Sequence, residues 1–315
     1  MFRLKILTEA GKGIGFGHLT RCTALRNELV RQGHLVDFIV YLKDFKIENP
    51  DFTKSDWLSI SPEELVTSSE VVIIDSYLVT KEWLRDASES NSLLVQLDDY
   101  NRIEYPVDLI INPNVFADEI NYSNQTAKYI GGPEFVIIRA PFRNVIEEIK
   151  ETNSPRLFIT MGGSDYRNML PKLARWALDH KTYDIRLVAP EGTNISLPRI
   201  DVLPLLSAEE MAEEMKRADV VISACGQTLH ELAALKKPTI GICLDKDQVP
   251  NHKFYNGVGF IRGNLFWNQD DLKQQVESEL TRLLNTDERK KAACSFEGIN
   301  PNGVGNIAET ILNSL

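Results

Sequence analysis

The chain has 315 residues, 43% hydrophobic and 25% charged, and compact domains of about 100–200 residues make two domains the expectation. Its 45 acidic side chains outnumber 35 basic ones for a formal charge of −10, which argues against a nucleic-acid backbone as partner. No apolar run approaches the roughly 20 residues of a membrane helix and no signal-peptide core follows Met1, so a cytoplasmic protein without membrane insertion is expected. Short apolar runs alternating with amphipathic stretches predict an α/β chain with mostly parallel sheets. In the first half, strands are expected at Arg3–Leu7, Val36–Val40, Val71–Asp75, Leu93–Leu97 and Asp108–Ile111. A helix from about His18 to Arg31 should stop at Gly33, and Ser61, Pro62 and Glu64 carry the signature of another helix start.

The charged segment Val145–Lys150 and the turn Asn153-Ser154-Pro155 read as a linker. A second series follows, with strands expected at Leu157–Thr160, Ile185–Ala189, Val202–Pro204, Val220–Ser223 and Thr239–Cys243, and a helix capped by Ser207 and Glu210. Asn302–Leu315 reads as a terminal helix with Val304, Ile307, Ile311 and Leu312 near one face. The expected organisation is residues 1–150, residues 151–300 and a terminal helix over 301–315. Cys22, Cys225, Cys243 and Cys294 form no C-x-x-C pair, which fits reduced thiols.

The chemistry concentrates in glycine loops after strands. Gly11-Lys12-Gly13-Ile14-Gly15-Phe16-Gly17-His18 opens a helix, where backbone amides approach a ligand closely. The dinucleotide fingerprint is not met, because its third glycine falls on Phe16 or on His18 according to the starting point. A phosphate-binding P-loop is absent too. At a helix N-terminus the cationic form of His18 is disfavoured, which suits a neutral general base; the plainer alternative is a histidine that caps or packs. His34, His180, His230 and His252 form no H-x-H or H-x-x-x-H pair with it, so no metal is expected. In the second half, Met161-Gly162-Gly163-Ser164-Asp165 and Ala224-Cys225-Gly226-Gln227-Thr228-Leu229-His230-Glu231 both follow strands. Amides opening the helix at Gln227 suit a diphosphate, Thr228 adds a hydroxyl, and Glu231 could accept from ribose hydroxyls. Ordinary strand-to-helix turns, with Glu231 a solvated acid, are the rival explanation.

Gly13 through His18 with Arg21, Ile74-Asp75-Ser76-Tyr77 with Trp83, Gly131-Gly132-Pro133 leading to Arg139 and Phe142, Gly162 through Asp165 with Asn168, and Ser223 through Glu231 followed by Asp247-Gln248 occur in that order. The set resembles the UDP-sugar hydrolases of pseudaminic acid biosynthesis, which are similar to spore-coat polysaccharide proteins and more distantly to the glucosaminyltransferase of peptidoglycan synthesis. The resemblance implies a GT-B architecture: two Rossmann-like parallel-sheet domains facing a cleft, with the terminal helix packing back on the first. It implies His18 as the catalytic residue, and a UDP site from Gly162, Gly163, Ser164, Gly226, Gln227, Thr228 and Glu231. Gly15, Gly17, Asp75, Tyr77, Asp247 and Gln248 fall on the sugar side. The chain departs from that family by reading Ser76 where Asp-His-Tyr is usual, Asp247 where asparagine is usual, and Cys225-Gly226-Gln227-Thr228 where Gly-Gly-Ser-Thr is usual. The function expected is a UDP-sugar hydrolase without cofactor or metal, His18 activating water. An inverting glycosyltransferase of surface polysaccharide synthesis is the alternative, and a nucleotide-sugar binding protein would not need His18.

Overall fold

The computed structural model describes every residue except 45–50, 67–68, 144–150, 164, 194 and 296–298. It divides into two compact units, residues 1–138 with 300–315, and residues 139–299. The first carries β1 (Arg3–Gly11), α1 (Gly17–Arg31), β2 (Leu35–Lys43), β3 (Thr53–Lys54), α2 (Pro62–Val66), β4 (Val71–Asp75), α3 (Lys81–Ser88), β5 (Leu93–Leu97), β6 (Leu109–Asn112) and β7 (Lys128–Gly131). These seven strands form one parallel sheet in the order β3-β2-β1-β4-β5-β6-β7. The second carries β8 (Arg156–Thr160), α4 (Leu170–Asp179), β9 (Asp184–Val188), β10 (Ile200–Leu203), α5 (Ala208–Arg217), β11 (Val220–Ala224), α6 (Gln227–Ala234), β12 (Thr239–Ile242), α7 (Val249–Gly257), α8 (Leu272–Leu283) and α9 (Thr286–Cys294). Its five strands are also parallel, in the order β10-β9-β8-β11-β12. Helix α10 (Gly303–Leu312) returns to the first unit.

Strands β1, β4, β5, β6, β8, β11 and β12 are buried on two faces, which is why they read as apolar runs rather than alternations. In β4, Val71 and Ile73 pack with Leu25 and Leu29 of α1 and with Val304, Ile307 and Ile311 of α10. Val72 and Ile74 point the other way, to a cluster holding Trp57, Trp83 and Leu84. Asp75 continues the odd-numbered side, so the period of two delivers its carboxylate to the face covered by α1.

The order of strands reverses direction between β1 and β4 in one sheet and between β8 and β11 in the other. Parallel sheets open a crevice beyond the carboxyl ends at such switch points. The loops that occupy those places are 12–16 and 76–80 in the first unit, 161–169 and 225–226 in the second.

Differences from the sequence expectation have identifiable causes. Strand β1 runs on to Gly11 because Thr8 and Glu9, though polar, are fully buried for their hydrogen bonds. Gly11 ends it at φ +123°, where a Cβ would stand 2.1 Å from the Lys43 carbonyl oxygen. Strand β10 lies at Ile200–Leu203 rather than Val202–Pro204, the proline having no N–H for the ladder. The helix after Ser61 is short, Pro62–Val66. Ser207 and Glu210 do form the reciprocal cap of α5. The unit boundary stands at 138/139, not 150/151, since residues 139–143 belong with the second unit; the segment 145–150 lies outside the described residues.

Candidate functional site

In the first unit the site is built on the β1–α1 loop. Gly11 and Gly15 exchange backbone hydrogen bonds at 3.1 and 2.9 Å, and Gly13 and Gly15 hold φ of +79° and +87° that only glycine adopts without strain. No atom lies within 4 Å of where a Cβ on Gly15 or Gly17 would stand, so the loop faces open space there. Helix α1 starts at Gly17, and His18 and Arg21, three apart, share the face turned to the end of β4.

There Asp75 is fully buried. Its Oδ1 lies 2.6 Å from His18 Nδ1 and accepts from Arg21 Nη2 at 2.6 Å, while Oδ2 accepts from Arg21 Nε at 2.7 Å and from the Cys22 thiol at 3.3 Å. Burial opposes charge on Asp75, yet Arg21 and His18 hold its carboxyl well below the usual range. An ionised carboxylate only accepts, so the short contact requires a proton on His18 Nδ1 and leaves the lone pair of the neutral ring on Nε2. Burial also opposes a charged His18, but Asp75 outweighs it and the imidazole pKa is raised above 6.5. Asp75 therefore acts against the helix terminus, which favours the neutral ring. Asp75, expected on the sugar side, has both oxygens enclosed by His18, Arg21 and Cys22.

Tyr77 is 38% exposed and packs edge-on against His18 with ring centroids 4.3 Å apart. Its hydroxyl donates to Asp99 Oδ2 at 2.5 Å. Ser76, standing where a cleft imidazole is usual, donates to buried Glu9, which also accepts from the Tyr77 amide at 2.8 Å. Asp99 and Glu9 carried no motif in the sequence; the signal that could have found them is their position at strand ends beside the switch point.

In the second unit, Gly162 has φ +81° and both Gly162 and Gly163 border open space, while Ser164 lies outside the described residues. Asp165 caps α4 through the amides of Met169 and Leu170 at 2.7 and 2.8 Å. Helix α6 begins with half-buried Gly226, Gln227 and Thr228, with no side-chain cap and no acid in its first turn. The Cys225 peptide before it is pinned from α7 and its approach: Gln248 Oε1 accepts its N–H at 3.2 Å and Asn251 Nδ2 donates to its carbonyl at 3.2 Å. Gln248 Oε1 also accepts from Leu244 N at 3.0 Å. Gln248 thus supports the α6 loop through Oε1, and its Nε2 stands 3.8 Å from where a Gly226 Cβ would be. Asp247 is exposed.

Glu231 is buried and grips Arg139 in a two-point ion pair, Nε to Oε1 at 2.6 Å and Nη2 to Oε2 at 2.9 Å. Burial raises its pKa, with Arg139 pulling the other way. Each oxygen keeps a lone pair, so the carboxylate is no solvated first-turn acid yet can still accept. Arg139 also lies 4.7 Å from the Phe142 ring centre.

Residues 189–308 match the glycosyltransferase family 28 C-terminal domain. The chain is 24% identical to the pseudaminic acid cytidylyltransferase and UDP-2,4-diacetamido-2,4,6-trideoxy-beta-L-altropyranose hydrolase of Helicobacter pylori, over 82% of this chain and 48% of that protein. It is 26% identical to the UDP-N-acetylglucosamine–N-acetylmuramyl-(pentapeptide) pyrophosphoryl-undecaprenol N-acetylglucosamine transferase of Clostridium botulinum, over 59% and 58%. The chain spans about half the length of the Helicobacter relative and of a matching Methanocaldococcus jannaschii protein. Among solved structures, MurG of Acinetobacter baumannii aligns over 99% of both chains with a TM-score of 0.64 at 13% identity. Two doubly wound parallel-sheet units and these structural likenesses make the fold GT-B.

Proposed function

We propose that the chain is an enzyme acting on a UDP-linked amino or deoxy sugar, and that it cleaves the bond between the anomeric carbon and the diphosphate with water. The observation that carries this reading is the buried Asp75–His18 pair beside an open glycine loop. The Helicobacter relative, whose name includes a UDP-sugar hydrolase, supports it. In the proposed step water attacks the anomeric carbon while His18 Nε2 takes its proton, and UDP leaves with the bonding electron pair. Amides opening α6 and the Gly162–Gly163 loop offset the charge of the leaving diphosphate, with Thr228 adding a hydroxyl. Glu231 accepts from the ribose. Gly15, Gly17, Tyr77 and Asp247 remain candidates for the sugar.

A glycosyltransferase would use the same base on a sugar hydroxyl, and the family 28 match with the Clostridium relative favours that second reading. The deciding experiment incubates the purified protein with a panel of UDP-linked amino and deoxy sugars. UDP released without acceptor establishes hydrolysis; UDP released only after a carbohydrate acceptor is added establishes transfer. No release under either condition overturns both.

A further inference from the structure

We infer that Asp99 is a positioning residue that acts on His18 through Arg21, leaving the imidazole beside an excess of negative charge. The inference rests on the reading of His18 as the base only for its consequence in turnover. A single guanidinium stands between two carboxylates. Arg21 donates to Asp75 through Nε at 2.7 Å and Nη2 at 2.6 Å, and to Asp99 through Nη1 at 2.6 Å and Nη2 at 3.1 Å. Asp75 by itself is therefore neutralised by Arg21. The second carboxylate claims the other edge of the same guanidinium, and one negative charge is left over for His18. Asp99 is buried, and its remaining partners are neutral donors, the Tyr77 hydroxyl at 2.5 Å and the Asn114 amide at 2.6 Å.

The groups facing His18 come from three places: Arg21 and Cys22 on α1, Asp75 and Tyr77 at the end of β4, and Asp99 after β5. Burial pushes the pKa of the Cys22 thiol and of the Tyr77 hydroxyl well above neutral, so neither adds charge. Burial opposes charge on Asp99 as well, but Arg21 keeps its carboxyl below the usual range. Tyr77 links the same carboxylate to the ring that packs on His18, so Asp99 fixes the wall of the site along with its charge.

The test follows the His18 ring signals by NMR across pH, without nucleotide, with His18→Asn used to assign them among the five histidines. Wild type should titrate above 6.5. In Asp99→Asn one of the negative charges that raise the imidazole is lost while burial and Arg21 still oppose its charge, and the midpoint should fall. An unchanged midpoint overturns the proposal. Tyr77→Phe removes a hydrogen bond from Asp99 without its charge, and its midpoint should stay at or above wild type; a fall overturns the proposal even if Asp99→Asn does not fold. The acid limb of UDP release should shift with the midpoint in Asp99→Asn. A limb that stays put while the midpoint moves refutes His18 as the base and leaves the Asp99 coupling standing.

Discussion

At the scale of single residues, the pair His18–Asp75 sets the pH behaviour. Because Asp75 outweighs burial and raises the imidazole pKa above 6.5, turnover by a neutral base should climb with pH through that raised value. His18→Asn should lower turnover about 10²–10⁴-fold and lose the acid limb while UDP affinity holds; a variant of wild-type rate refutes the role. The same shift has a stability consequence. A raised histidine stabilises the fold fully below 6.5 and stops doing so as pH rises through the folded value, so the melting difference between wild type and His18→Asn should be greatest in acid. For the nucleotide, Glu231→Gln keeps shape but weakens an acceptor already holding Arg139. Calorimetry should find UDP binding weaker by about 1–3 kcal/mol, and unchanged affinity would move the ribose contact elsewhere. His18 and Glu231 were legible because each follows a glycine loop at the opening of a helix. Asp99 was not, since it belongs to no glycine loop or helix start. In the fold it parts company with its neighbour: Asp98 accepts the hydroxyls of Tyr105 and Tyr122 and the amides of Tyr100 and Asn101, whereas Asp99 turns to Arg21.

At the scale of elements, backbone approach decides what sequence periodicity only outlines. The terminal helix was readable from the spacing of Val304, Ile307 and Ile311, all fully buried against the first unit's sheet. What spacing does not reveal is how closely α10 meets the chain around Val136. A Cβ on Gly303 would stand 2.2 Å from the Val136 carbonyl oxygen, a backbone atom that cannot move aside. The atoms nearest a Cβ on Gly305, from 2.5 Å, belong to the side chain of Asn302, which is exposed. Gly303→Ala should therefore cost about 1–3 kcal/mol through overpacking. Gly305→Ala should be neutral or stabilising, since alanine exceeds glycine in a helix by about 1 kcal/mol. Thermal melting of the two variants checks this, and equal losses would mean that α10 does not pack as described.

At the scale of the whole molecule, each unit has a core of its own, and the repeated strand–helix alternation made the two-unit plan visible beforehand. The boundary was not visible, because Arg139 is committed to the second unit by a partner 92 residues away and no local pattern encodes that pairing. This division gives a prediction about where ligands act. If the second unit holds UDP, then UDP alone should slow hydrogen exchange at the amides that open α6 and at Gly162–Gly163, while the amides of the Gly11–His18 loop exchange as before. Saturation at 100-fold over the dissociation constant contributes about 2.7 kcal/mol to whatever opening those amides require, a slowing of about a hundredfold for amides exposed only when the second unit opens. A UDP-sugar that is a true substrate, studied with His18→Asn to prevent turnover, should add protection at the Gly11–His18 loop. Protection of that loop by UDP alone would overturn the division of labour, because an amide is protected by what binds beside it or alters the opening that exposes it.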